Sequence, residues 1–305
     1  MFANTKTLLQ KAQKQGYAIG HFNINNMEIV QGVINAANQT NSPIILAVSE
    51  GAIEYAGLNY LLNLAQTAAK NSKVPIAFHL DHGKDLNIIK KCINAGFSSV
   101  MFDGSHLPFE QNIKITKQIV QHAHKRGISV EAEIGTIGGA EDKVSSRKII
   151  YTDPKQAKEF VQKTGCDFLA VAIGTSHGPN KFEGPAKLRL DILQEIQKQI
   201  KIPLVLHGAS GVPNNLVTIA KKYGATLPKV VGVPNDQIKK AIKLGICKIN
   251  TDTDLRLAFD AGVRKSIQTH PSDIDPRHIL APARDLITQV VTERITTFGS
   301  KNKAK

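Results

Sequence analysis

Eight short, mostly apolar runs divide the chain at near-regular intervals: residues 17–23 (YAIGHFN), 43–49, 74–83 (VPIAFHLDHG), 98–103, 128–135, 168–174, 202–207 and 245–250. Seven read as strands buried on both faces, because apolar residues run on where a half-exposed strand would alternate. The fifth, ISVEAEIG, does alternate, which puts Glu131 and Glu133 on one face of a buried strand, where two carboxylates demand partners. Between the runs, residues 27–38, a stretch ending at Ala69, residues 86–95 and a longer segment ending at Lys125 carry helical spacing.

Strands alternating with helices predict an α/β fold, a (β/α)₈ TIM barrel. Polar residues gather where the apolar runs stop: Asn23, Ser49, Asp81, His82, Asp103, Glu133, His177, His207 and Asn250. That places one polar cluster around one mouth of the barrel. Three features decorate the minimal fold: an N-terminal helix begun near Asn4 or Thr5, a long insertion at 208–244 between the seventh and eighth strands expected to hold two short helices, and a C-terminal extension from Asp275 with a helix over 281–298. Residues 135–147 (GTIGGAEDKVSSR) read as a glycine-hinged loop of the kind that covers an active site. Residues 1–305 are expected to form a single domain, with 299–305 a disordered tail.

Composition narrows the classes. A hydrophobic fraction of 42% supports a sizeable core, and no uncharged apolar run is long enough for a membrane span. The N-terminal stretch has no apolar signal core, so a cytoplasmic protein is expected. Cys92, Cys166 and Cys247 are far apart and lack CxxC spacing, which points to three small core residues. The net charge of +14 comes from lysines spread over helices, with 5% aromatics and no tryptophan, so nucleic acid is not an expected partner.

The chemistry concentrates in three His-Gly steps, His82-Gly83, His177-Gly178 and His207-Gly208, each closing a different apolar run. Three imidazoles at one mouth fit a catalytic zinc site that keeps a position open. LDHG, VEAEIG, GTSHG, LHGASG and KINTDTDLR, in this order over nearly the whole chain, resemble the class II, metal-dependent fructose-bisphosphate aldolases. The long insertion and DPRHILAPAR resemble the subgroup found in many bacteria and some protists.

The resemblance implies reversible cleavage of fructose 1,6-bisphosphate to dihydroxyacetone phosphate and glyceraldehyde 3-phosphate through a zinc-stabilised enediolate, in glycolysis and gluconeogenesis. It implies zinc on His82, His177 and His207, with Glu133 near the metal and Asp103 a ligand of a second divalent metal position. Asp81 matches the acid/base at the C4 hydroxyl, and Glu141 the carboxylate that moves protons at C3. Gly178, Gly208, Ser210 and Gly211 match one phosphate cradle, with a monovalent cation (Na⁺ or K⁺) beside Gly178 and Ser210. Asn23, Asn250 and Asp252 match substrate positioners, and Arg256 a residue for the second phosphate; Ser49 and Arg277 match residues that reach a neighbouring subunit's site, implying a homodimer or homotetramer. Three alternatives stand beside this reading: a tagatose-bisphosphate aldolase, disfavoured by Asp252; a Schiff-base aldolase using Lys248; and a zinc-dependent barrel hydrolase, whose usual HxH pair is found only at His122 and His124 on a predicted helix.

Overall fold

Eight parallel strands close into a barrel in the computed structural model, which describes residues 1–141, 144–146, 149–178, 187–228 and 231–305, with 140, 141 and 144–146 described by backbone alone. In chain order the strands are β1 (Ile19–Asn23), β2 (Ile44–Ser49), β3 (Ile76–Gly83), β4 (Ser99–Phe102), β5 (Ser129–Ile134), β6 (Gly138–Glu141), β7 (Val144–Ser146), β8 (Phe168–Val171), β9 (Ser176–His177), β10 (Leu204–Leu206) and β11 (Ile246–Thr251). The barrel runs β1-β2-β3-β4-β5-β8-β10-β11 and closes by pairing β11 with β1, so each barrel strand lies beside the barrel strand that precedes it in the chain, and β6, β7 and β9 form a separate small sheet. The barrel strands are the eight expected ones: seven are one to three residues shorter than expected, where pairing gives way to loops, and the eighth is shifted by one residue.

The barrel interior has two tiers. Its lower tier is apolar: Ile19, Ile45, Ala77, Met101, Phe168, Val205 and Cys247 are buried together with Leu9 and Ala12 of the helix Thr5–Gln15. That helix starts where Asn4 accepts a hydrogen bond from the Thr7 N–H, stops at the left-handed Gly16, and plugs the barrel from below. The upper tier is polar and leads to the mouth.

The insertion carries its two helices, Asn214–Lys222 and Asn235–Lys243. The C-terminal helix begins at Pro276, earlier than expected, because Asp275 caps it by accepting from the Arg277 N–H and proline suits the first turn. Pro282 inside it does not end the helix. Residues 299–305 differ from the expected disordered tail. The Asn302 and Ala304 N–H groups donate to Thr40 and Asn41 carbonyls, and Ser300 is buried against Ser42. The orphan carbonyls that end the helix Met27–Thr40 thus find their donors in the chain terminus.

Residues 138–141 and 144–146 also differ from an open loop, while 142, 143 and 147 of the expected loop lie outside the described residues. β6 and β7 form an antiparallel hairpin, and β6 pairs in parallel with β9, matching Gly139 to His177. Gly139 has a φ of +87°, and a Cβ there would meet the His177 carbonyl oxygen, so only glycine allows this approach.

No helix among the described residues is long and apolar enough to cross a membrane. All three cysteines are buried, and burial pushes the thiols of Cys92, Cys166 and Cys247 up to about 12. Their reactive thiolates are therefore absent at neutral pH. Native protein at pH 8 is expected to resist iodoacetamide and to take up three equivalents only after denaturation; rapid labelling of the native chain would contradict this.

Candidate active site

Asp81 and His82 are neighbours in sequence, and along a regular strand they would point to opposite faces. The chain avoids this at the end of β3, where the pairing register with β4 shifts between Leu80 and Gly83 and His82 takes a left-handed φ of +46°. Such a conformation is costly for a residue with a side chain and persists only where its surroundings hold it. One holder is Asp103, just past β4, whose N–H donates to the Gly83 carbonyl and whose Oδ2 lies 3.0 Å from His82 Nδ1.

With Nδ1 engaged by a carboxylate, His82 turns Nε2 to His207 Nδ1, 2.7 Å away. His207 mirrors the arrangement: its far nitrogen, Nε2, lies 2.7 Å from Glu131 Oε1. If each imidazole gives its proton to its carboxylate, two lone pairs face each other, and they repel unless a proton or cation lies between. His177 joins from β9, its ring centroid 4.9 Å from that of His82, and one ligand atom from each histidine falls within 4.8 Å of the others.

The electrostatics also favour a cation. Burial opposes charge on His82, yet Asp81, Asp103 and Glu133 outweigh it and hold the imidazole up to about 10. His207 goes the other way, kept neutral by burial and by the positive charge of His82 and Lys248. Glu133 is pushed well above the carboxylate range by burial and by Asp103, and its Oε2 lies 3.7 Å from His207 Nδ1. For Asp103, burial is overcome by the His82 hydrogen bond and charge, and its carboxyl is held far below the usual range. Three converging imidazoles, two of them oriented by carboxylates, fit the donor set and surrounding shell of a zinc site.

Asp81 sits beside this set and is held from both sides. Asn23 Nδ2 donates to its Oδ2 at 2.9 Å, and Asn250 Nδ2 to its Oδ1 at 3.0 Å. Two amide donors, one on each oxygen, fix the direction of the carboxylate.

A family model described as fructose-bisphosphate aldolase class-II matches residues 3–303. The chain belongs to that family. Its relatives include fructose-bisphosphate aldolases from Giardia intestinalis, 47% identical over 98% of this chain and 93% of that protein, and from Thermus caldophilus, 46% identical over 97% and 98%. Among solved structures, the YdjI aldolase from Escherichia coli K12 matches with a TM-score of 0.81 and 33% identity, covering all of both chains. The class II family is zinc-dependent, and the three histidines supply a fitting site.

Other predicted residues of this class II chain divide into groups. Gly208 and Gly211 flank a turn after β10 that Asp254 fastens: its carboxylate accepts from the Gly211 N–H at 3.1 Å and the Val212 N–H at 2.8 Å. Val212 is held there at a φ of +47°, unusual for a β-branched residue. Gly208, left-handed at +60°, lies so close to Ser176 that a Cβ would strike its carbonyl oxygen, so the His177 and His207 segments touch through backbone. Arg256 is ion-paired with Asp252 at 2.6 Å, beside a surface groove that also includes Ser49. Ser49 caps the helix Glu50–Ala56. Arg277 lies apart, 84% exposed and paired with Asp275. Glu141 ends β6, and its side chain lies outside the described residues.

Sequence reading missed Asp254, Arg294 and the role of Glu131. Arg294 is buried and approaches Asp254 at 3.5 Å. Glu131 had a usable signal, since it shares its face with Glu133. Lys248, the Schiff-base candidate, is fully buried with Nζ 2.9 Å from Glu131 Oε2, which opposes attack on a substrate carbonyl. The His122 and His124 pair lies on an outer helix, with His124 bound to Asp167 at 2.8 Å.

Proposed function

We propose that this class II chain reversibly cleaves fructose 1,6-bisphosphate into dihydroxyacetone phosphate and glyceraldehyde 3-phosphate, in the cytoplasm and as a step of glycolysis and gluconeogenesis. The carrying observation is the convergence of His82, His177 and His207 within 4.8 Å beside an Asp81 carboxylate fixed by two amides. Zinc held by those histidines supplies a Lewis acid for the negative charge left at C3 when the C3–C4 bond breaks. Asp81 takes the proton from the C4 hydroxyl as that carbon becomes the aldehyde, and returns it in condensation. Glu141 delivers the proton to C3 that completes dihydroxyacetone phosphate. Asn23, Asn250 and Asp252 orient substrate hydroxyls.

One phosphate sits against the N–H groups at Gly178, Gly208, Ser210 and Gly211, where small residues let an anion approach. Arg256, ion-paired to Asp252 at 2.6 Å, swings to the other phosphate. His82, Asp103 and Glu133 also bring ligand atoms within 4.8 Å of one another, which supports a second divalent position; a monovalent cation belongs near Gly178 and Ser210. The exposed Arg277 and the rim position of Ser49 suit a homodimer or homotetramer in which they reach a neighbour's site. Residues 1–305 act as one barrel domain.

The test is cleavage of fructose 1,6-bisphosphate followed by triose detection, before and after chelation. Activity is expected to vanish with the chelator and return with zinc. Chelator-resistant cleavage would reject the metal reading, and cleavage confined to tagatose 1,6-bisphosphate would reject the substrate.

A further inference from the structure

Lys248 belongs to no group that contacts substrate in the reading above, yet it is a fully buried charge inside the barrel. Its Nζ has two partners: Glu131 Oε2 at 2.9 Å and Asn250 Oδ1 at 2.7 Å. Each partner hands the constraint on. The other oxygen of Glu131 lies 2.7 Å from His207 Nε2, and the nitrogen end of Asn250 donates to Asp81 at 3.0 Å. A carboxamide has one accepting and one donating end, so an ammonium on its oxygen settles which end Asp81 receives. In the same way, an ammonium on one carboxylate oxygen leaves the other to accept from the imidazole.

We propose that Lys248 is a positioning residue that sets two functional groups from one buried charge: His207 toward the metal through Glu131, and Asp81 for proton transfer through Asn250. Without Nζ, the remaining ion-pair partner of Glu131 Oε2 among the described residues is His79 Nε2 at 3.6 Å, too far for a hydrogen bond, and the carboxylate is free to turn from His207. Asn250 then loses the group that distinguishes its two ends. The proposal rests on the three histidines being the zinc site.

The experiment compares wild type, Lys248→Met, Glu131→Gln and the double variant, with His207→Ala as reference. Zinc affinity is read by competition with a chromophoric chelator, and ligand geometry by the visible spectrum of the cobalt-substituted protein. Lys248→Met is expected to bind zinc about 10- to 100-fold more weakly, the usual effect of losing an outer partner of a metal ligand. Its cobalt spectrum is expected to change, and kcat to fall more than KM moves. Because the lysine acts on the metal through Glu131, adding Lys248→Met to Glu131→Gln should weaken zinc no further. That charge-neutral pair carries the test if the single variant does not fold. An unaltered zinc affinity and cobalt spectrum in folded Lys248→Met, or additive losses in the pair, would overturn the proposal. Zinc affinity untouched by His207→Ala would overturn the site reading itself, and the lysine inference with it.

Discussion

Asp81→Asn is expected to keep its zinc and lose about 10² to 10⁴ in turnover, the usual weight of general acid/base catalysis. The substitution keeps the size of the side chain and removes its basicity. Asp81 lends its charge to His82, but the hydrogen bonds that orient the histidines do not pass through it: His82 is held by Asp103 and His207 by Glu131. The donors Asn23 and Asn250 do meet a changed partner, because an asparagine offers one accepting end where the carboxylate offers two. A modest local rearrangement is therefore expected, visible in KM, and the main loss falls on kcat. Turnover close to wild type, with zinc content confirmed, would remove Asp81 from proton transfer and leave it an orienting group beside His82.

Asp254→Ala is expected to destabilise the fold by about 3 to 5 kcal/mol, the cost of breaking a buried charge pair by deleting one partner. Arg294 is left buried, with Asn235 at 3.0 Å and Glu293 at 3.2 Å as its remaining partners. Two N–H groups of the turn after β10, those of Gly211 and Val212, lose their acceptor at the same time. Val212 then has less to hold it in its left-handed conformation, which costs about 1 to 3 kcal/mol. The turn is the proposed phosphate cradle, so KM should rise in whatever fraction stays folded. Asp254→Asn, which keeps one acceptor, should lose less. Denaturant unfolding decides it, and an Asp254→Ala variant as stable as its parent would show that the turn is fastened elsewhere.

The barrel was legible because its strands are buried on both faces and therefore carry an unbroken apolar signal, closed by polar residues at one end. The three histidines were legible for the same reason, each standing where an apolar run stops. What lay beyond sequence was direction. Nothing in LDHG tells that the backbone turns left-handed at His82, so the two side chains reach one mouth only by a shift of register. Asp254 is hidden inside a helix, Thr253–Thr269, and its partners are backbone groups more than forty residues away in the chain, which no local pattern announces. The tail 299–305 reads as polar and lysine-rich, and what holds it is a set of carbonyls at the end of another helix. The stretch 135–147 looked like a loop because glycine-rich hairpins and loops share a composition.

That hairpin bears on how the molecule can move. Its strand β6 is a ladder neighbour of β9, and β9 contains His177. The proposed metal ligand and the base of the segment ending in Glu141 therefore share one small sheet, and the base cannot lift away without unpairing the backbone that carries the imidazole. Any backbone movement at residue 141 that leaves the proposed metal site intact has to arise beyond Gly139, in a short arm whose pivot is anchored to the strand that carries His177.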